Sequence, residues 1–358
     1  MNKREILTYL NFLNIQNRKI LAMADRLDFE NFFDLDKSFF DFLDEKTYNK
    51  IFSEKNLENF KYYKEKLIKT PCKLTSIFDD DYPENLKNID DRPAILYYKG
   101  KLEKNDKYSV AFVGSRKCTD YGRWACKKIV GEIAGENIVT VSGLAYGIDA
   151  CCHKTSLSLN KKTIGIIGCG IDQVYPKSNK YLYDMMEENG LIISEFPLGT
   201  GPLSFNFPRR NRIISGISLA TVVIEAKEKS GTMITTSFAL EQGRDVFSVP
   251  GNINSIYSRG TNKLIQDGSK LVTCGQDIID EVLELKDFKV EKNSLNVLNL
   301  DQDQLKILEY INQNPNSNSD KIARDLNFSI DDVNYLLISL ELQDYIENMG
   351  NNEYVIKR

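Results

Sequence analysis

Tyr108-Ser109-Val110-Ala111-Phe112-Val113-Gly114-Ser115-Arg116 is an apolar run that stops at a glycine-containing turn, and its reading decides the fold. Six runs of similar texture follow at helix-length intervals: Ile138 to Val141, Thr163 to Ile167, Leu191 to Ser194, Ala220 to Ile224, Val246 to Val249 and Leu271 to Thr273. Short β-branched runs that end at Gly or Ser and alternate with helix-length segments are the signature of βαβ units. Seven of them predict an α/β domain, doubly wound and Rossmann-like, with a parallel sheet.

The flanks have a different texture. Residues 1–70 carry Ile6, Leu10 and Leu13, then Phe29, Phe32, Phe33, Phe39, Phe40 and Leu43, with no β-rich run, which predicts a small helical domain. Turn-forming residues at Pro71, Asp81-Tyr82-Pro83 and Arg92-Pro93 lead through Ala94 to Tyr98 into the sheet, so the Rossmann-like domain with its lead-in is placed at 71–285. A polar stretch without a period, 286–300, reads as a linker. Residues 301–358 then give helices over Gln304–Asn312, Ser319–Asp325 and Ile330–Leu342, and a hairpin ending in Tyr354-Val355-Ile356, the order of a winged helix.

Bulk properties remove several function classes. Of 358 residues, 42% are hydrophobic and 27% charged, and no apolar run approaches the roughly 20 residues that span a bilayer. The first residues lack the apolar core and cleavage site of a secretory signal, so a cytoplasmic location is expected. The seven cysteines contain no C-x-x-C pair, which argues for reduced thiols rather than a disulfide framework or a zinc site. A single histidine, His153, leaves one candidate for imidazole acid–base work.

The net charge of −4 conceals an asymmetry. Lys107 to Lys180 hold eleven basic against five acidic residues, whereas 301–358 hold five against eleven, and the third helix there carries Asp331, Asp332 and Glu341 without a basic partner. A polyanion is therefore expected at the middle of the chain and not at its end, where a protein-contact or structural role fits better.

The Gly114-Ser115-Arg116 turn follows the first strand, where α/β domains present backbone N–H groups to an anion, and Arg116 adds a fork for phosphate; the alternative is a tight turn with a surface arginine. The loops Ser142-Gly143-Leu144-Ala145-Tyr146-Gly147-Ile148-Asp149 and Gly168-Cys169-Gly170-Ile171-Asp172 gather on the same edge. Asp149 suits a helix cap or a base, and His153 an internal hydrogen bond or a base. Phe207-Pro208-Arg209-Arg210-Asn211-Arg212 places three guanidinium groups within four residues, suited to phosphates or to ion pairs with Glu195 or Glu225. Ser230, Gly231 and Thr232 open a helix whose N–H groups suit a phosphate, with Ser230 or Thr232 as its cap.

Taken in order, these segments resemble the DNA processing protein A family (DprA/Smf). The stretches are VGSR at 113–116, SGLAYGID at 142–149, GCGIDQVYP at 168–176, SEFPLG at 194–199, FPRRNRIISG at 207–216, EAKEKSGTMITT at 225–236, GRDVFSVPGNI at 243–253 and GTNKLIQDG at 260–268. The resemblance implies a homodimer that binds incoming single-stranded DNA during natural transformation, protects it, and loads the RecA recombinase in the presence of single-strand binding protein. It implies no catalysis, cofactor or metal, and it likens the helical domain over 1–70 to SAM or helix-hairpin-helix domains. By position, Arg116 matches a DNA-contacting arginine, Lys177 or Lys180 supplies a second basic contact, and Arg210, Asn211 and Arg212 fall on an RNR pattern beside the same pocket, to which Gly114, Ser115, Ser230, Gly231 and Thr232 belong.

The rival reading is a nucleotide phosphoribohydrolase-like enzyme on the same Rossmann variant. That family has acidic residues just after its glycine–threonine turn, whereas here Gly231-Thr232 is followed by Met233, Ile234 and Thr235. A dinucleotide oxidoreductase lacks its G-x-G-x-x-G turn, and an ATP-driven motor lacks its P-loop.

Overall fold

The computed structural model describes residues 1–289, 300–343, 345–350 and 352–356, which divide into two compact units, Met1–Lys286 and Asp287–Arg358. In the first, helices α1 (Lys3–Phe12), α2 (Asn17–Arg26), α3 (Glu45–Ile51) and α4 (Glu54–Lys69) precede strand β1 (Lys73–Ser76), a short α5 (Glu84–Lys87) and β2 (Ile95–Gly100). Strand and helix then alternate: β3 (Ser109–Val113), α6 (Asp120–Gly135), β4 (Val139–Ser142), α7 (Ile148–Ser158), β5 (Thr163–Ile166), α8 (Lys180–Asn189), β6 (Leu191–Ser194) and α9 (Asn206–Ile217). The series ends with β7 (Ala220–Val223), α10 (Gly231–Glu241), β8 (Asp245–Ser248), α11 (Arg259–Gln266), β9 (Lys270–Leu271) and α12 (Gly275–Ile279).

All seven strands read from the sequence lie in one sheet, in the order β1-β2-β6-β5-β4-β3-β7-β8-β9. From β3 to β9 every pairing is parallel. The sheet differs from an all-parallel expectation at one edge, where β2 runs antiparallel to β6 and β1 antiparallel to β2. The chain leaves β3 in one direction towards β4, β5 and β6 and returns beside β3 as β7, so the strand order reverses there. Open α/β sheets hold ligands outside the carboxyl ends of the strands at such a reversal.

Side-chain alternation on β2 shows how both faces are covered. Ile95 and Tyr97 join an apolar cluster with Leu10, Phe60, Leu182 and Met186, while Leu96 and Tyr98 join another with Ile89, Ile193 and Ile213. Residues 1–70 are tied to the sheet by polar contacts as well. The Tyr63 hydroxyl bonds that of Tyr97 at 3.1 Å, and Tyr97 donates to Asn11 at 3.0 Å. They lie in the same compact unit as the sheet.

The second unit contains α13 (Gln302–Gln313), β10 (Ser317–Asn318), α14 (Ser319–Leu326), α15 (Ile330–Leu342), β11 (Ile346–Asn348) and β12 (Glu353–Ile356), with sheet order β10-β12-β11. Ile307, Ile311, Ile322, Leu337 and Ile346 fill its core. This is the helix, helix, helix and hairpin order of a winged helix. Residues 283–289 are helical, and the remainder of the expected linker, 290–299, lies outside the described residues. Among the described residues no helix is long and apolar enough to cross a membrane.

Candidate functional site

At the reversal point lies a cleft of about 550 Å³ bounded by the ends of β3 and β7, the loop after β4 and the first turns of α9 and α10. The Gly114-Ser115-Arg116 turn forms one wall. It is fixed by backbone bonds, Ser115 donating its N–H to Glu225 O at 2.9 Å and accepting from Ile148 N at 3.2 Å. The next loop presses against it so closely that a Cβ on Gly147, whose φ is +77°, would lie 2.2 Å from Ser115 O. Glycine is required there on both counts.

Arg116 is exposed, and its guanidinium carbon sits 5.5 Å from the centroid of Phe207, which lies on α9. Arg210 approaches the same ring at 5.9 Å from within, and the ring of Tyr175 lies 5.4 Å from that of Phe207. Two cations within about 6 Å of one ring, one of them open to solvent, make a surface that offers charge and a π-face together. Lys227 also lines the cleft, above Tyr257 at 5.2 Å.

Arg210 is only 3% exposed and donates from Nη1 to Gly143 O at 2.7 Å and to Ile166 O. Burial lowers its proton affinity, and Asp149 opposes that effect. Asp149 is 8% exposed, lines the cleft and accepts from Ala145 N at 3.3 Å, so it braces its own loop rather than capping α7. Burial pushes its carboxyl above the ordinary range, against the pull of Arg210, the Ala145 N–H, Ser142 and Arg116. Asn211 accepts from Arg210 Nε at 3.2 Å and donates to Gly231 O at 3.4 Å, tying α9 to α10.

Ser230 occupies the N-cap position of α10, yet its hydroxyl donates to Lys227 O at 3.0 Å and no side chain caps the helix. The expected cap is therefore not made, and Gly231 and Thr232 border the cleft with that helix start turned towards it. Eight of the expected residues are thus brought together: Gly114, Ser115, Arg116, Arg210, Asn211, Ser230, Gly231 and Thr232.

Three are not. Arg212, two residues from Arg210, points to the other side of α9 and is 4% exposed. It is held by Glu195 at 2.6 and 2.8 Å, by Asp91 at 2.9 Å and by the Arg209 carbonyl at 2.8 Å. This is the ion-pair alternative, and it corrects the placement of Arg212 beside the pocket. Glu225, the other partner considered, receives Thr119 N at 2.9 Å and so anchors the start of α6. Lys177 and Lys180 are exposed at the start of α8, outside the cleft lining, and Lys180 is paired with Asp184 at 2.7 Å. His153 is fully buried, bonds Thr163 at 2.8 Å and is pushed down to about 3 by burial and by Arg210, so it takes no part in the cleft.

Sequence reasoning passed over Tyr175 and Phe207. Both stand inside quoted motifs, and the signal for them was the interleaving of aromatic with basic residues. Among the described residues no cluster of His, Cys, Asp and Glu is arranged to hold a metal ion.

Comparison with known proteins agrees with this architecture. Residues 73–283 match the family model of DNA recombination-mediator protein A. DNA processing protein DprA of Streptococcus pneumoniae is 47% identical over 206 residues, 58% of this chain and 73% of that protein. A crystal structure of DprA from Streptococcus pneumoniae superposes with a TM-score of 0.65 at 37% identity, over 79% of this chain and 99% of that one. The structure of DNA processing protein A from Helicobacter pylori, described by its single-stranded DNA binding mode, gives 0.53 at 28% identity over 59% of this chain and 96% of that one.

Proposed function

This chain belongs to the DNA recombination-mediator protein A family, and from that premise we propose that it binds single-stranded DNA in the cleft at the strand reversal, without performing chemistry on it. The observation that carries the reading is the exposed Arg116 guanidinium over Phe207, beside Tyr175 and the uncapped start of α10. A cation for a phosphate next to a ring for a base is what a sequence-tolerant single-strand site needs, because every base has a π-face. Arg210, Asn211 and Asp149 hold the walls. Gly114, Ser115, Ser230, Gly231 and Thr232 provide backbone close to the strand. Lys177 and Lys180 meet phosphates beyond the cleft, and Arg212 acts through the position of α9.

In the same proposal the chain is a cytoplasmic homodimer that protects incoming DNA during natural transformation and loads RecA in the presence of single-strand binding protein. Residues 1–70 brace the sheet and 301–358, being acidic, contact protein. A phosphoribohydrolase-like reading draws on Asp149, since a buried carboxyl of raised pKa in a cleft is a common catalytic feature. It lacks carboxylates after Thr232.

A gel shift with single- and double-stranded oligonucleotides at two salt concentrations tests the binding claim. Preference for the single strand, weakening with salt, is expected; equal affinity for both refutes it. RecA strand exchange on DNA coated with single-strand binding protein tests the mediator claim, which fails if addition of this protein leaves the rate unchanged.

A further inference from the structure

Lys107 to Lys180 hold eleven basic residues, yet of these only Arg116 lines the cleft. Five of the remaining ten lie on one layer of helices. Helix α6 packs along α7 and α7 along α8, and the exposed side of this three-helix layer carries Lys127 and Lys128, then Lys154, then Lys180 with Lys177 just before it. At the seam between α6 and α7 the Cys151 thiol donates to Arg123 O at 3.7 Å, and Lys127 and Lys154 are exposed on the two helices.

Aromatic rings stand among these cations. Trp124, the only tryptophan in the chain, is 59% exposed. It stacks on Tyr121 with centroids 6.2 Å apart and has Lys128 over it at 5.9 Å. Tyr121 is itself fixed by a 2.6 Å bond from its hydroxyl to Pro250 O. On α8, Tyr181 is 44% exposed with Lys154 over its ring at 5.1 Å. Tyr175, which lines the cleft, is joined to Lys177, Lys180 and Tyr181 by a short stretch of chain. Of the carboxylates on these helices, Asp120 pairs with Arg123, Asp184 with Lys180, Glu187 with Lys99 and Glu132 with the Gly275 N–H, while Glu188 is exposed.

We propose that this band is a second segment of the single-strand path, in which DNA leaving the cleft past Tyr175 crosses α8, α7 and α6 and stacks bases on Tyr181 and Trp124. The proposal rests on the cleft reading above and extends it. Charge and rings together select this occupant. A protein partner for an apolar patch would not need a cation over each exposed ring, whereas a polyanion with π-faces uses both. Along this path two helix spacings of about 8–10 Å each separate α8 from α6, so a strand that leaves the cleft past Tyr175 reaches Trp124 only after crossing both.

The test uses the full-length protein and its single tryptophan. Oligothymidylates of about 5 and about 20 nucleotides, near the lower end of the usual site sizes and beyond their upper end, are titrated while Trp124 emission is followed. The longer strand is expected to quench Trp124 and the shorter one not. Lys127→Ala with Lys154→Ala is expected to leave short-strand affinity unchanged. On the long strand it should lower affinity roughly tenfold and flatten the slope of log K against log salt by about 1.4, two contacts at about 0.7 each. Tyr181→Ala is expected to cost the long strand roughly tenfold as well. Short-strand binding that depends on Arg116, together with a silent Trp124 and unchanged long-strand affinity in these variants, overturns the band while leaving the cleft reading intact. Short-strand binding indifferent to Arg116→Ala overturns the cleft reading. Emission that changes with protein concentration alone, and not with DNA, assigns the face to contact between copies and overturns the band.

Discussion

Replacing Arg212 with alanine is predicted to damage the fold first and DNA binding only through it. The side chain is 4% exposed and grips Glu195 through both terminal nitrogens at 2.8 and 2.6 Å, with Nε on Asp91 at 2.9 Å. Truncation strands the Glu195 carboxylate, itself 5% exposed, without a counter-charge. Removing one partner of a buried pair costs about 3–5 kcal/mol. An unfolding entropy of roughly 2.1 cal/mol/K per residue, taken over the unit Met1–Lys286, amounts to about 0.6 kcal/mol/K, so Tm should fall by about 5–8 °C. Urea unfolding followed by circular dichroism measures the loss directly. Arg212→Ala combined with Glu195→Ala should cost clearly less than the sum of the two single variants, because the double variant leaves no stranded charge. If Arg212→Ala keeps its stability within about 1 kcal/mol yet loses single-strand affinity, Arg212 acts at the DNA and the ion-pair account is wrong.

Three further outcomes are expected. Removing residues 300–358 should leave single-strand affinity nearly unchanged, since 301–358 hold eleven acidic against five basic residues; a tenfold loss in a gel shift contradicts this. Stability should fall in mild acid through His153, because the unfolded imidazole takes a proton near pH 6.5 while burial holds the folded one down to about 3. That contribution is present above the unfolded pKa and is lost as pH drops below it, by about 1.3 kcal/mol between pH 7 and 5.5; urea titrations in which His153→Gln shows the same pH dependence as the parent count against it. Purified protein should release no free base from nucleoside monophosphates, and steady release abolished by Asp149→Asn favours the enzyme reading.

Seven strands were legible because each is a short apolar or β-branched run closed by a turn residue, and the six from β3 to β8 are buried parallel strands, which leave that mark undiluted. The antiparallel edge was not. β1, Lys73–Ser76, has Leu74 as its one aliphatic residue beside Lys73, Thr75 and Ser76, and β2 follows directly on the Arg92-Pro93 turn. The site was legible as a set of loops but not as side-chain directions. Arg210 and Arg212 are equivalent in a sequence, whereas on a helix two positions differ by about 200° in azimuth, which sends one to the cleft and the other to Glu195. Phe207 and Tyr175 were hidden for a related reason: an aromatic residue reads as core until its partners in space are known, and here those partners are Arg116 and each other. The basic excess before Lys180 was visible as a count, but its arrangement across α6, α7 and α8 depends on which helices pack together.

The central claim is that the Gly114-Ser115-Arg116 turn presents a cation to the phosphates of a single strand, and Arg116→Ala tests it most directly. The side chain is exposed, so the variant should fold as the parent does, which a thermal melt establishes. Affinity is then measured by fluorescence anisotropy on several single-stranded sequences across a salt series. The account predicts a loss that is the same for every sequence, because phosphate contacts position a strand without reading it, together with a slope of log K against log salt flattened by about 0.7. A folded Arg116→Ala variant that keeps both its affinity and its salt slope contradicts it.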